Sequence, residues 1–129
     1  MRTAARSLLL LLPLACAPAL TSCAHTTEEE KVEFQNMNME SHVEGAQDSL
    51  EQARAALEAH LASADATEAT DALGVDLDAA FKLLNEIEGE IERATASGEA
   101  RALSALSGRV ILLLATAEDL LQRADALGN

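Results

Sequence analysis

Residues 103–127 read LSALSGRVILLLATAEDLLQRADAL, and within them Leu103, Leu106, Val110, Leu113, Ala117, Leu120, Ala124 and Leu127 recur at steps of three and four without a break. A helix with 3.6 residues per turn gathers such residues onto one stripe, and a strict alternation of three and four is the pattern of helices packed along a shared axis. Two earlier segments carry the same pattern. One runs Leu73, Leu77, Ala80, Leu84, Ile87, Ile91, Ala94. The other runs Val43, Ala46, Leu50, Ala53, Leu57, then His60 or Leu61 and Ala64, with a weaker extension back through Met39, Asn36 and Val32. Three such stripes predict an all-α protein with one modest core.

The residues between the stripes predict where the helices stop. Asp65-Ala66-Thr67-Glu68 has the form of a capping box, Gly74 offers a helix stop and Asp76 a fresh N-cap. A turn is therefore expected across residues 65–75, with room for one short helical piece. Ser97-Gly98 separates the second stripe from the third, Gly98 being able to take the left-handed conformation, and Gly128 offers the same ending after Leu127. Short connections place successive helices antiparallel, so the expectation is an up-down-up, antiparallel three-helix bundle over residues 41–129.

Ahead of the stripes the chain reads as an export signal. Arg2 and Arg6 precede an apolar stretch from Leu8 to Leu20, interrupted by Pro13 and Pro18, and the stretch ends in Leu20-Thr21-Ser22-Cys23. These four residues resemble the processing box of bacterial lipoproteins: a branched apolar residue, two small residues, then cysteine. The resemblance implies removal of residues 1–22, attachment of lipid to Cys23, and a membrane anchor. Two or more acyl chains hold stably where one gives only marginal binding. Ala24, in place of an aspartate, resembles lipoproteins sent on to the outer membrane, facing the periplasm; retention at the inner membrane is the alternative. The other reading of the leader is cleavage at Ala17-Pro18-Ala19, which would leave Cys23 as an unpaired thiol, since Cys16 lies inside the leader. Residues 23–40, polar and charged at their start, are expected to form a flexible tether that continues into the first helix at its far end.

Composition narrows the partners. Twenty-two Asp and Glu stand against nine Lys and Arg, for a net charge of −13. Loss of the leader, which holds Arg2 and Arg6 and no acid, leaves the rest more acidic still. Such a surface is repelled by phosphate backbones and anionic headgroups, so no nucleic acid partner is expected and no membrane contact beyond the anchor. Phe34 and Phe81 are the only aromatic residues. Flat rings line most sugar and cofactor pockets, so no cofactor is expected.

Residues that could carry chemistry are scattered. Glu86 with Glu90 and Glu88 with Glu92 are like-charge pairs one turn apart, a solvated face or a weak patch for a divalent cation. His42 and His60 are eighteen residues apart on one predicted helix, about 27 Å, too far to share a metal. His42-Val43-Glu44-Gly45 lacks the basic residue that follows the histidine of phosphotransfer bundles. No serine has a paired base and no glycine-rich phosphate loop occurs, so the chain is not expected to be an enzyme.

One stretch exceeds what a bundle needs. Val110-Ile111-Leu112-Leu113-Leu114-Ala115 is apolar all round, although a bundle helix has a polar back. Either Phe81, Leu83 and the start of the first helix wrap round and bury it, which is the expectation, or Ile111, Leu112 and Leu114 form a surface for an envelope protein or for self-association. The expected role is that of a small lipid-anchored cell-envelope protein, structural or protein-binding. Its rivals are a helical module for a small ligand or divalent cation, and an accessory or inhibitor subunit of an envelope complex.

Overall fold

The structure, a computed structural model, describes residues 26–128. Residues 1–25, among them Leu20-Thr21-Ser22-Cys23, and Asn129 lie outside the described residues. Within them the protein is helical, without a strand: α1 Glu28–Ser63, α2 Glu68–Ser97, a single short turn of helix α3 Ala100–Ser104, and α4 Ser107–Ala126.

The first helix starts well inside the segment read as a tether. Thr27 caps it: its hydroxyl accepts the Glu30 N–H at 3.2 Å, and the Glu30 carboxylate accepts the Thr27 N–H at 3.2 Å. Glu28, Glu29 and Glu30 place negative charge at the positive end of the helix dipole. Val32 and Met39 are buried, in step with Val43, Ala46, Leu50, Ala53 and Leu57. Residues 28–40 therefore belong to α1, and their many charges are the exposed faces of a helix whose fourth face is apolar. The stripe lapses at the other end, where His60 is half-buried and Leu61 and Ala64 are exposed.

The break between α1 and α2 is shorter than the expected turn over residues 65–75. Only residues 64–67 are non-helical, and α2 passes through Gly74 and Asp76. The cap is Thr67 rather than Asp65. Its hydroxyl accepts the Thr70 N–H at 3.2 Å, while the Thr70 hydroxyl accepts the Thr67 N–H at 2.8 Å and donates to the Thr67 carbonyl at 2.9 Å. Thr70 is buried with its hydrogen bonds made, directly before Leu73 on the same stripe. Gly74 lies inside α2 beside Leu57, where an added Cβ would make an ordinary contact at 3.9 Å. Thr67→Ala should lower stability by about 1 kcal/mol in denaturant unfolding, the usual cost of a lost N-cap, and Asp65→Ala by much less.

Gly98 does end α2 in the left-handed conformation, with φ 71° and its N–H bonded to the Thr95 carbonyl. The next free donor, the Ala100 N–H, is taken by the Glu28 carboxylate at 2.9 Å, so the first residue of α1 caps the start of α3. The third stripe is divided at Ala105-Leu106, where the Leu106 N–H bonds three residues back to Leu103. Both residues keep right-handed helical angles, and the stripe holds step across them: Leu103, Val110, Leu113, Ala117, Leu120 and Ala124 are buried, Leu106 and Leu127 partly so. Gly128 is not left-handed; among the described residues Gly98 is the one glycine with positive φ.

All three stripes meet in one core, where Leu50, Leu73, Leu77, Ile87, Leu103, Leu113 and Leu120 are fully buried. Ala46, Ala53 and Ala117 are fully buried beside them and allow close approach of the helices at the expense of apolar area per residue. Polar side chains tie the edges. Thr95 of α2 donates to the Asn36 side chain of α1 at 3.0 Å. Arg109 of α4 grips both carboxylate oxygens of Glu90, and Arg123, later in α4, meets Asp76, earlier in α2, at 2.8 Å. Arg54 of α1 lies over the Phe81 ring, 3.8 Å from its centre, and 3.8 Å from Asp78.

Candidate functional site

The third apolar stripe buries one side of α4, and the opposite side is exposed among the described residues. Ile111 and Leu112 are 62% and 61% exposed. The expected burial of this pair by Phe81, Leu83 and the start of α1 does not occur: Phe81 and Leu83 pack against the core instead. Leu114 is separate from the exposed pair, being partly buried against the core beside Gly45, where an added Cβ would meet it at 3.8 Å. Of the three residues named in the alternative, Ile111 and Leu112 are exposed and Leu114 is not. The reason is phase: successive residues turn by about 100° around the helix, so Ile111 and Leu112 point away from the stripe set by Val110 and Leu113, and Leu114 returns to its edge.

By length and composition alone, residues 100–126 would suffice to cross a membrane. Their seam is packed against α1 and α2, and the apolar excess sits on the face that carries Ile111 and Leu112. Residues 100–117 contain no Asp or Glu in a chain of net charge −13. A groove of about 180 Å³ runs beside Ile111, lined by Gln35, Asn38 and His42 of α1 and by Ser104 and Ser107. The Gln35 side-chain oxygen is buried there without a hydrogen-bond partner. Phe34, Met37 and Val75 are further exposed apolar residues, outside the surface expected from the apolar run of α4. The signal was available, since each falls outside its helix's stripe.

The carboxylates divide between two roles. Glu90 is bound by Arg109, which relieves the Glu86–Glu90 pair. Glu88 and Glu92 line a groove of about 550 Å³ with Glu40 and Glu44, over an apolar floor of Val43 and Ile91. Among the described residues no three His, Cys, Asp or Glu come together closely enough to hold a metal ion. His42 is exposed on α1 and donates from Nδ1 to the Asn38 carbonyl at 2.7 Å, an ordinary bond one turn back. His60 lies on the same helix, half-buried. Cys23 falls outside the described residues. Comparison with family models, with curated proteins and with solved structures yields no match.

Proposed function

We propose that this chain is a small lipid-anchored protein of the bacterial cell envelope, with a non-catalytic structural or protein-binding role, held at the periplasmic face of the outer membrane through Cys23. The Leu20-Thr21-Ser22-Cys23 box supports the anchor. The exposed Ile111 and Leu112, within residues 100–117, which hold no Asp or Glu, carry the interaction role. In this reading α1, α2 and α4 are an antiparallel up-down-up bundle. The order of the cross-links supports it: Arg109 with Glu90 and Arg123 with Asp76 run in opposite senses along α4 and α2, as do Asn36 with Thr95 and Arg54 with Asp78 along α1 and α2. With α1 beginning at Glu28, the five residues from Cys23 to Thr27 reach at most about 18 Å, so the start of α1 stays close to the membrane.

Cell fractionation and intact mass test the anchor. Cys23→Ala should move the protein to the soluble envelope fraction and remove the mass of the acyl groups; a variant that stays membrane-bound with unchanged processing overturns the lipoprotein reading. The interaction role is tested by Ile111→Ser with Leu112→Ser. Both side chains are solvent-exposed, so the double variant should keep its unfolding midpoint within the range of surface substitutions, about 0.5 kcal/mol per site, and lose its cross-links in the envelope. A drop of several kcal/mol would assign the pair to the core instead.

A further inference from the structure

The exposed side of α3 and α4 bears a second stripe. Arg101, Ala105, Gly108, Leu112, Ala115 and Asp119 recur at steps of four and three, the same alternation as the buried seam, and all six are exposed. Reversed about residue 110, the stripe complements itself. Arg101 and Asp119 are equally far from that midpoint, and so are Ala105 and Ala115, and Gly108 and Leu112. Two copies laid antiparallel would set each Leu112 over the partner's Gly108 and each Ala105 against the partner's Ala115. Arg101 would meet the partner's Asp119 about 13.5 Å from the centre, at 1.5 Å of rise per residue. Nothing within 4 Å in the same chain would meet a Cβ added at Gly108, so its outward side is open to a large side chain.

We propose that this face is a dimer interface and that its occupant is a second copy of the chain, packed antiparallel about a two-fold axis near residue 110. The proposal rests on the reading of the exposed α4 face as a protein-interaction surface. Charge selects the occupant and its direction. Elsewhere two copies of a chain of net charge −13 repel each other, whereas residues 100–117 hold no acid. Neither Arg101 nor Asp119 has an ion-pair partner among the described residues. Parallel pairing would set arginine against arginine and aspartate against aspartate; antiparallel pairing sets unlike charges together at both ends. One helix face is at the small end of stable interfaces, so the dimer is reversible and concentration-dependent. In the proposed bundle α1 and α4 run in the same sense, and α1, with 36 residues, measures about 54 Å. The two chain starts then lie at opposite ends, and a dimer anchored through both Cys23 groups lies along its membrane.

Sedimentation equilibrium of the full chain in density-matched detergent tests this. The chain should show a monomer–dimer equilibrium, and Leu112→Asp should sediment as a monomer with unchanged circular dichroism. Arg101→Asp should weaken association roughly ten-fold, and Arg101→Asp combined with Asp119→Arg should restore it, since each swapped charge again meets its opposite. A monomer at all concentrations, a dimer indifferent to Leu112→Asp, or a double swap without recovery overturns the proposal. If the chain is monomeric and Ile111→Ser with Leu112→Ser abolishes a cross-link to a different envelope protein, the dimer falls and the interaction reading stands. If no cross-link is lost either, both fall.

Discussion

Leu113→Asp is expected to leave the chain without a cooperative unfolding transition, with helical circular dichroism lost or much reduced. Leu113 is fully buried in the middle of α4, among the apolar residues of all three long helices. A carboxylate there loses its water without gaining a donor, and the group either stays protonated or opens the core; both cost several kcal/mol. That is comparable with the whole stability expected of a domain this size. Leu113→Ala separates the two contributions, since it removes the apolar contacts alone and should cost about 2–5 kcal/mol. Leu112→Ala is the control: one residue away, 61% exposed, it should change the midpoint little. Equal effects at 112 and 113 would mean that the seam of α4 has been set in the wrong phase.

Met39→Ala should lower stability by about 2–5 kcal/mol, as truncation of a well-packed core residue does. The position lies in the segment whose polar composition reads as a tether, where the same change would have no effect on unfolding. Met39 is 6% exposed and in step with Val43, while Met37, two residues earlier, is 63% exposed. Met37→Ala should therefore be nearly neutral. Chemical denaturation of the two variants side by side decides whether α1 is docked over residues 28–40. A neutral Met39→Ala would return that stretch to the tether.

The seams were legible because their signal is redundant. Seven buried positions in α2 from Leu73 to Ala94 follow one alternation, and each of them names the same face. The helix ends were less so. Asp65, Thr67, Gly74 and Asp76 are all competent to start or stop a helix. Thr67 prevails because burial of Thr70 and Leu73 requires α2 to be helical before Gly74, and local propensity yields to that packing. The same competition hid the start of α1. Its first turns are mostly charged, and two apolar residues seven apart, Val32 and Met39, become evidence of a helix only when there is a neighbour to bury them.

The candidate surface shows the same division. That the 110–115 stretch is too apolar for one seam follows from composition and helical period alone, as do the all-helical class, the acidic charge and the resemblance of Leu20-Thr21-Ser22-Cys23 to a lipoprotein box. Whether Ile111 and Leu112 are covered depends on how far Phe81, Leu83 and α1 reach around α4, and that is set by the packing of helices against one another rather than by any local preference. With Phe81 turned to Arg54 and Leu114 beside Gly45, Ile111 and Leu112 stay exposed among the described residues. Which residues are apolar, and at what period, is written in the chain; which of them stay in water follows from the packing of the helices, because burial belongs to the partners of a side chain and not to the side chain alone.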